Sequence, residues 1–336
     1  MREPSFWWRD AGLEAALLAP FACVYGAIAG RRMTGPGARA GVPVLCVGNF
    51  TLGGAGKTPT VLMLAKMLAE AGERPFCLSR GYGGGDAGPK LVDAHNDSAG
   101  VVGDEALLLA RAAPTIVARD RVAGAAQARE AGASVIVMDD GLQNGSLAKD
   151  FTIAVVDARR GLGNGRVFPA GPLRAPLEAQ LAHTDALLRI GEDAGAESME
   201  TGSRALPIFH GRLVPDGSAV KALQGRNVLA FAGIGDPEKF FATLAAAGIA
   251  VSERRAFGDH YRFTAAEAAS LMTEAERGGL LLVTTEKDRA RMTGDPALVA
   301  LAAKTQVLPV TLAVDEADEL RKLVLAKLIS QPAPGA

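Results

Sequence analysis

A short segment between Val47 and Val61, VGNFTLGGAGKTPTV, carries residue types that bind phosphate. Gly56, Lys57 and Thr58 match the end of the G-x-x-x-x-G-K-[ST] pattern of a P-loop, whereas Thr51 stands at the position of its first glycine. The lysine of such a loop reaches the terminal phosphates of a nucleotide, and the hydroxyl that follows can bind Mg²⁺. The predicted nucleotide-binding residues are Thr51, Leu52, Gly53, Gly54, Ala55, Gly56, Lys57 and Thr58.

Carboxylates that could face the metal of a bound nucleotide follow two apolar runs. Asp139 and Asp140 come directly after VIVM, and Asp157 follows IAVV. Two adjacent acids at the end of a buried strand are costly unless a cation lies nearby. We therefore expect Asp139 and Asp140 to lie on the Mg²⁺ side of the site, and Asp157 to cap the end of its strand.

Further candidates for acid–base chemistry lie at a helix start and in a turn. Asp104 and Glu105 follow Gly103, where a carboxylate could cap the helix or act as a base toward an acceptor hydroxyl. His260 lies in FGDHYRFT, between a strand and a helix whose start carries a capping box formed by Thr264 and Glu267. Loops of this kind face the active edge of a parallel sheet.

The type of nucleotide enzyme is narrowed by the segment TEKD, which runs from Thr285 to Asp288. A common GTPase reads guanine with N-K-x-D, but here the lysine directly precedes the aspartate. One hypothesis is a kinase that transfers phosphate to the hydroxyl of an acceptor molecule. A membrane-associated P-loop ATPase or switch protein without such an acceptor is the alternative, and a non-catalytic nucleotide-binding scaffold is a third.

Strand and helix patterns around these residues predict an α/β fold. Apolar β-rich runs alternate with helical periodicity from Val42 onward, which favours a P-loop NTPase-like, doubly wound parallel sheet. The pattern loosens after a Gly/Pro-rich stretch and restarts near Gly225, which indicates a second, smaller α/β domain. We expect an N-terminal hydrophobic helix in residues 1–40, a kinase core in 41–205 and the second domain in 206–330.

Composition sets limits on partners and compartment. Across 336 residues, 36 Lys and Arg nearly balance 37 Asp and Glu, so no global charge draws the chain to nucleic acid. Three widely separated cysteines, Cys23, Cys46 and Cys77, form no metal spacing and favour a reducing compartment. The cytosol or its membrane face is the expected location.

The N-terminus has an uncharged run from Ala15 to Gly30. As a helix, its sixteen residues would reach about 24 Å, short of the roughly 30 Å hydrocarbon core, and Pro20 would kink it or cap a shorter one. Three hypotheses fit this segment: a secretory signal, a core helix and an interfacial anchor. The anchor is favoured because Phe6 and both tryptophans of the chain, Trp7 and Trp8, could lie at headgroup depth.

The motifs occur in an order that resembles the tetraacyldisaccharide 4'-kinases, the lipid A kinases of Gram-negative bacteria. The blocks that carry the resemblance are VGNFTLGGAGKTPTV, SRGYGG, GDEALLLA, DDGLQN, GNGRVFPAGPLR, AGIGDPEKFFATL, DHYRFT and TEKD. This family also places threonine or serine at the first-glycine position. The resemblance implies transfer of the ATP γ-phosphate to the 4'-hydroxyl of a lipid A disaccharide 1-phosphate, at the cytoplasmic face of the inner membrane, by a peripheral or monotopic protein.

Residue roles follow from the resemblance. It implies that Asp104 is the base with His260 as its partner, and that Glu105 affects nucleotide–metal geometry. Lys57 and the rest of the loop would hold the triphosphate. The residues expected on Mg²⁺ are Thr58, Asp139, Asp140 and Glu105, and the candidates for gripping substrate phosphate and sugar are Arg80, Tyr82, Arg119, Arg121 and Arg174. Gly145 departs from the family pattern, where a larger residue is expected.

Overall fold

The computed structural model describes residues 3–191 and 205–329. The domain boundary predicted at 205/206 adjoins residues 192–204, which lie outside the described residues. In the described ranges the chain forms two sheets with helices packed on them, and this confirms the predicted α/β fold.

The larger sheet has nine strands within these ranges, in the order β13-β8-β7-β6-β1-β5-β2-β4-β3. Its strands are β1 Val44–Asn49, β2 Pro75–Ser79, β3 Lys90–Leu91, β4 Thr115–Val117, β5 Val135–Asp139, β6 Phe151–Asp157, β7 Ala186–Ile190, β8 Ile208–Pro215 and β13 Val310–Val314. The central β1 runs parallel to both β5 and β6. Among the described strands of this sheet, only the edge strands β3 and β13 pair antiparallel with their neighbours.

The smaller sheet is wholly parallel in the described residues and has the order β10-β9-β11-β12. Its strands are β9 Asn227–Ala232, β10 Ala250–Ala256, β11 Leu281–Thr284 and β12 Thr305–Val307. Because every pair is parallel, the loops that follow β9, β10 and β11 meet at one edge, where parallel α/β sheets place their sites.

Helices connect the strands. Their bounds are α1 Leu13–Met33, α2 Lys57–Glu70, α3 Ala99–Val102, α4 Asp104–Ala110, α5 Arg121–Glu130, α6 Leu177–Ala182, α7 Gly217–Leu223, α8 Pro237–Ala246, α9 Ala265–Gly278, α10 Glu286–Arg291, α11 Pro296–Lys304 and α12 Ala317–Ile329. The predicted capping box at the start of α9 is present, with Thr264 and Glu267 bonded reciprocally.

Alternate residues of the central strands bury two faces of the larger sheet. On one face, Leu45 and Val47 of β1 pack with Leu64 of α2 and Val324 of α12. On the other, Val44 packs with the small residues of α5. Burial on both faces explains why these strands read as continuous apolar runs, and it fixes the register of β1, whose end carries the phosphate loop.

Two strands of the larger sheet come from the range predicted for the second domain. Both β8 and β13 lie within 206–330, yet they extend the larger sheet beyond β7. The sequence pattern could not show this, because β8 and β13 pair across almost a hundred residues that form the smaller sheet. The two units are therefore joined by shared strands as well as by the cleft between them.

The N-terminal helix α1 is longer than the sixteen-residue run suggested. It spans 21 residues with Pro20 inside it, which corresponds to about 31 Å. Its large apolar side chains point outward, with exposures of 69% for Leu17, 67% for Phe21 and 63% for Val24, while small residues such as Ala22 and Gly26 face the protein. By length and composition α1 could cross a membrane.

One of the two tryptophans, Trp7, does not lie where the anchor hypothesis placed it. Trp7 is only 5% exposed, and its Nε1 donates a hydrogen bond of 3.0 Å to the carbonyl of Pro169. Trp8 lies under the guanidinium of Arg160, 4.8 Å from ring centroid to Cζ. The prediction that Trp7 lies at headgroup depth was wrong, since this ring is used to dock the N-terminal segment onto the core.

Candidate active site

The phosphate loop joins the end of β1 to the start of α2. Gly53 and Gly56 both have φ 99°, a conformation that favours glycine. Gly56 caps α2, and a Cβ on it would lie 2.7 Å from Cδ1 of Ile190. The amide end of a 14-residue helix therefore points at the loop, which is the arrangement that attracts an anion.

Thr51 has a structural place in this loop. It is 9% exposed and pairs with Leu173 in an isolated β-bridge. Its carbonyl accepts hydrogen bonds from Asn49 Nδ2 at 2.6 Å and from Arg174 Nε at 2.9 Å. Since its φ is not positive, the position needs no glycine. Leu52 to Thr58 line the cleft, whereas Thr51 anchors the loop from behind.

A cavity of about 440 Å³ opens between the larger and the smaller sheet. One wall is the phosphate loop with the ends of β2 and β5. The opposite wall comes from the loops after β9, β10 and β11, and includes Gly235, Asp236, Asp259, His260 and Lys287. Two polar clusters therefore face each other across a space large enough for a nucleotide.

Lys57 is held at the entrance of α2. Its Nζ donates to Asn49 Oδ1 at 3.1 Å and lies 3.5 Å from Asp140 Oδ1. Arg174 donates to the other oxygen of Asp140 at 3.0 Å. Burial works against ionisation of Asp140, but the charges of Lys57 and Arg174 outweigh it and hold its pKa well below the usual range.

Asp139 has the opposite electrostatic character. It ends β5 at 2% exposure, and burial, with the nearby charges of Glu105 and Asp140, raises its pKa to about 7. Oδ1 of Asp139 is buried and accepts no hydrogen bond from any residue that the structure describes, and the buried Oδ1 of Asp140 faces the Lys57 ammonium at 3.5 Å. A buried carboxylate oxygen without a donor, beside a second carboxylate, leaves room for a cation at the end of β5.

The alternative carboxylate, Asp157, is engaged elsewhere. It accepts a hydrogen bond from the Arg159 amide at 3.0 Å and pairs with Lys239 Nζ at 3.2 Å. It thus caps the end of β6, the role that the sequence favoured, and links the larger sheet to α8.

The two residues proposed as a base and its partner meet across the cleft. His260 Nδ1 lies 3.3 Å from Asp104 Oδ1, although the residues are 156 positions apart. Asp104 begins α4 and is 3% exposed, so the imidazole of His260 faces the cavity and the carboxylate lies behind it. His260 holds a positive φ of 52°, and its ring stands 4.8 Å from that of Tyr82.

This contact shifts both titrations. Burial of Asp104 works against its charge, but the hydrogen bond from His260 and the charge of Arg291 hold its pKa well below the usual range. Burial of His260 would lower its pKa, but the hydrogen bond and charge of Asp104, with Asp259 and Glu105, raise it. A carboxylate paired with a readily protonated imidazole can take up a proton at neutral pH.

Two cations of α10, Lys287 and Arg291, were missed at the sequence level. Lys287 Nζ pairs with Glu105 Oε1 at 2.6 Å, and Arg291 Nε donates to Asp104 Oδ2 at 2.8 Å. The lysine of the TEKD block and the arginine four residues later lie on one face of α10. That i, i+4 spacing was the available signal.

The candidates for holding substrate divide into two groups. Arg80, Tyr82 and Arg174 line the cavity, together with Glu105. Arg119 is exposed away from the lining. Arg121 is 2% exposed and donates to the carbonyl oxygens of Ala118 and Asp139, so it holds the end of β5 and cannot grip a ligand in the cleft.

Gly145 lies against the end of α1. A Cβ at this position would collide with the carbonyl of Arg32, which explains why the larger residue of the family pattern does not fit here. Gly145 thus lets the loop after β5 approach the end of α1 closely, and it does not line the cleft.

The chain is similar to known proteins over nearly its whole length. Residues 14–329 match the family model described as tetraacyldisaccharide-1-P 4'-kinase. The tetraacyldisaccharide 4'-kinase of Rhodopseudomonas palustris (strain BisB5) is 54% identical over 330 residues, which cover 98% of this chain and 97% of the relative. That of Methylobacterium sp. (strain 4-46) is 57% identical over 339 residues, with 99% and 100% coverage.

A solved structure extends the likeness to three dimensions. LpxK from Aquifex aeolicus, crystallised in complex with ATP, superposes with a TM-score of 0.74 at 28% identity, covering 94% of this chain and 99% of that one. Residues 14–329, which the family model matches, contain the phosphate loop, the aspartate pair at the end of β5, Asp104 and His260. The chain belongs to the tetraacyldisaccharide-1-P 4'-kinase family.

Proposed function

We propose that this protein is a phosphotransferase that moves the γ-phosphate of ATP to the 4'-hydroxyl of tetraacyldisaccharide 1-phosphate, a step of lipid A biosynthesis. The family supports the reaction. The observation in this chain that carries the proposal is the cleft, where Lys57 lines one wall and His260, backed by Asp104, lines the other. A phosphate donor and a hydroxyl acceptor can meet in that space.

ATP is proposed to bind with its phosphates on the loop from Leu52 to Thr58. The backbone amides of the loop, the start of α2 and Lys57 would share the negative charge. The cavity lining also includes the apolar side chains of Leu213, Phe240 and Leu308, which suit a purine ring. The relative crystallised with ATP supports this choice of nucleotide.

Mg²⁺ is proposed to lie near Thr58, Asp139 and Asp140. No group of three His, Cys, Asp or Glu side chains in the described ranges is arranged to hold a metal by itself. The metal of a nucleotide needs few protein ligands, because phosphates and water supply the others. Oδ1 of Asp139, which accepts no hydrogen bond from a described residue, and the neighbouring carboxylate of Asp140 fit this demand. When bound, the ion neutralises charge that develops between the β- and γ-phosphates.

The residues of the chain then align the reaction and move one proton. The acceptor oxygen forms a bond to the γ-phosphorus as the bond from that phosphorus to the β–γ bridging oxygen breaks. Lys57 stabilises the charge that grows on the transferred group, while the hydroxyl proton passes to the Asp104–His260 pair. Arg80, Tyr82 and Arg174 are proposed to orient the acceptor, and Glu105 to set the geometry around the metal.

The exposed face of α1 is proposed to enter the cytoplasmic side of the inner membrane. Leu17, Phe21 and Val24 share this face, and Arg31 and Arg32 end the helix where anionic headgroups would lie. A membrane surface would present the acyl substrate to the cleft without extraction of its chains.

We expect the triple substitution Leu17→Ser, Phe21→Ser and Val24→Ser to release the protein from membranes. Each exposed side chain contributes roughly 1–2 kcal/mol when it enters an apolar phase, so the partition coefficient should fall about 100-fold or more. Sedimentation with vesicles of phosphatidylethanolamine and phosphatidylglycerol measures it. The matched control replaces Leu91, Val214 and Val299, which are exposed hydrophobic residues elsewhere, with serine. Equal sedimentation of the two triple variants would show that α1 is not the anchor.

The activity itself is tested by incubating the full chain with ATP, Mg²⁺ and tetraacyldisaccharide 1-phosphate in detergent. We expect a bisphosphorylated lipid and one ADP for each product, detected by mass spectrometry and a coupled assay. ATP hydrolysis at the same rate with and without the lipid, and no phosphorylated lipid, would favour the ATPase alternative.

A further inference from the structure

We propose that Arg291 is a positioning residue, which orients the Asp104 carboxylate from the opposite wall of the cleft so that its Oδ1 faces His260. The inference rests on the proposed function and deepens it. Arg291 ends α10 in the unit of the smaller sheet, whereas Asp104 begins α4 beside the larger sheet. The alignment of the acid–base pair thus depends on a side chain from the other unit.

Geometry gives Arg291 a single orientation. Its Nε donates to Asp104 Oδ2 at 2.8 Å, and Nη2 makes a second, shorter contact with the same oxygen. Nη1 donates to the carbonyl of Gly233 at 2.7 Å and to Asp288 Oδ1 at 2.9 Å. The side chains of Arg291 and Asp104 are 6% and 4% exposed, so water does not compete for these bonds. A planar guanidinium held at three acceptors cannot turn without breaking several hydrogen bonds.

Asp288 fixes this guanidinium from behind. It is fully buried, accepts the amide of Gly233 at 3.0 Å and bonds the hydroxyl of Thr285 at 2.6 Å. The loops after β9 and β11 are thereby tied together. Because Arg291 is bonded to both of these loops and to Asp104, it fixes the position of the Asp104 carboxylate relative to them.

The orientation of Asp104 matters because its two oxygens have different partners. Arg291 occupies Oδ2, which leaves Oδ1 for His260 Nδ1 at 3.3 Å. With Nδ1 bonded to the carboxylate, Nε2 is the ring nitrogen that faces the cleft, where Asp259 Oδ2 lies 3.9 Å from it. Rotation of the carboxylate would remove this preference, and a small misplacement of a proton acceptor can cost about 100-fold in rate.

Charge around Asp104 comes from each element packed against it. His260 approaches Asp104 from the loop after β10, and Glu105 is its neighbour in α4. The charged residues of α10 near it are Lys287, Asp288 and Arg291. Lys287 is paired with Glu105, and Asp288 is shared with Arg291. Removal of Arg291 therefore takes one positive charge from the Asp104–His260 pair and makes the pair hold a proton more tightly.

The test compares Arg291→Gln, Arg291→Lys and the matched control Arg289→Gln, which removes an arginine from the same helix. For Arg291→Gln we expect kcat about 10- to 100-fold lower, KM for ATP changed less than about twofold, and the acid limb of kcat/KM moved up by about 1 pH unit. Arg291→Lys keeps the charge but loses the two-donor geometry. It should lower kcat about 3- to 10-fold and leave the limb in place.

A second readout does not need turnover. The pKa of the His260 ring, followed by NMR of the free protein, should rise in Arg291→Gln by about 0.5 to 1 unit and stay unchanged in Arg291→Lys and Arg289→Gln. If Arg291→Gln folds and the pKa of its His260 ring is unshifted, the proposal is overturned. If Arg291→Gln does not fold, wild-type kcat in Arg291→Lys overturns it instead. A wild-type protein that does not phosphorylate the lipid would instead refute the proposed function. The NMR measurement does not depend on turnover, so it would still test the contact between Arg291 and Asp104.

Discussion

Replacement of Lys57 by alanine is expected to lower kcat/KM by roughly 10³-fold, which corresponds to about 4 kcal/mol of transition-state stabilisation. The ammonium group is held by Asn49 and by Asp140, at the amide end of α2. It is thus placed before ATP arrives and needs no reorganisation when charge develops on the transferred phosphate.

The loss should fall mainly on kcat, because the backbone amides of the loop still bind the nucleotide in Lys57→Ala. Phosphorylated lipid measures turnover, and a fluorescent ATP analogue measures binding. Lys66→Ala is the matched control, since Lys66 lies on the same helix with its side chain 79% exposed. Turnover by Lys57→Ala at the rate of Lys66→Ala would contradict the role assigned to the loop.

The phosphate loop could be predicted from the sequence because its chemistry is local. Strand, glycines, lysine and helix are consecutive, and Gly53 and Gly56 adopt the positive φ that their type suggests. The place of Asp139 and Asp140 follows from the same logic, since β1 and β5 are parallel neighbours and end at one edge of the sheet. The exceptional residue, Thr51, is explained only by its contacts with Arg174 and Leu173.

Contacts across the cleft could not be predicted from the spacing of residues in the sequence alone. The proximity of Asp104 and His260 was implied by family resemblance, because no local rule joins residues of two different sheets. Arg291 was missed for the same reason: its partner lies 187 positions away. Two cations at i and i+4 of a short helix are usually a solvated face, and only the fold shows that this face meets α4.

The N-terminal segment shows how composition can mislead about depth. Aromatic residues near an apolar helix suggest an interface, yet Trp7 is buried against Phe168 and Pro169. The outward face of α1 instead carries large aliphatic and aromatic side chains at helical spacing. The sequence does not reveal this face, because the small residues between these side chains are also apolar. Which face a helix presents depends on what it packs against.

Asp104→Asn is the second substitution for which we expect a large effect, with kcat lowered roughly 10³-fold. The amide keeps the size of the side chain but cannot carry negative charge or accept a proton at neutral pH. His260 would lose the charge that raises its pKa, so its ring should titrate at lower pH than in the wild-type protein. ATP binding should persist, because the loop from Leu52 to Thr58 is not touched.

The wild-type pH profile follows from the same pair. Transfer requires the pair to be unprotonated, so kcat/KM should rise as pH increases through its apparent pKa, above the ordinary value of about 6.5 for histidine. Asp318→Asn is the matched control, because Asp318 also lies in the first turn of a helix but is exposed. If Asp104→Asn kept the rate and the acid limb of Asp318→Asn, Asp104 would not be the proton acceptor, and proton removal in this cleft would have to be carried by another group.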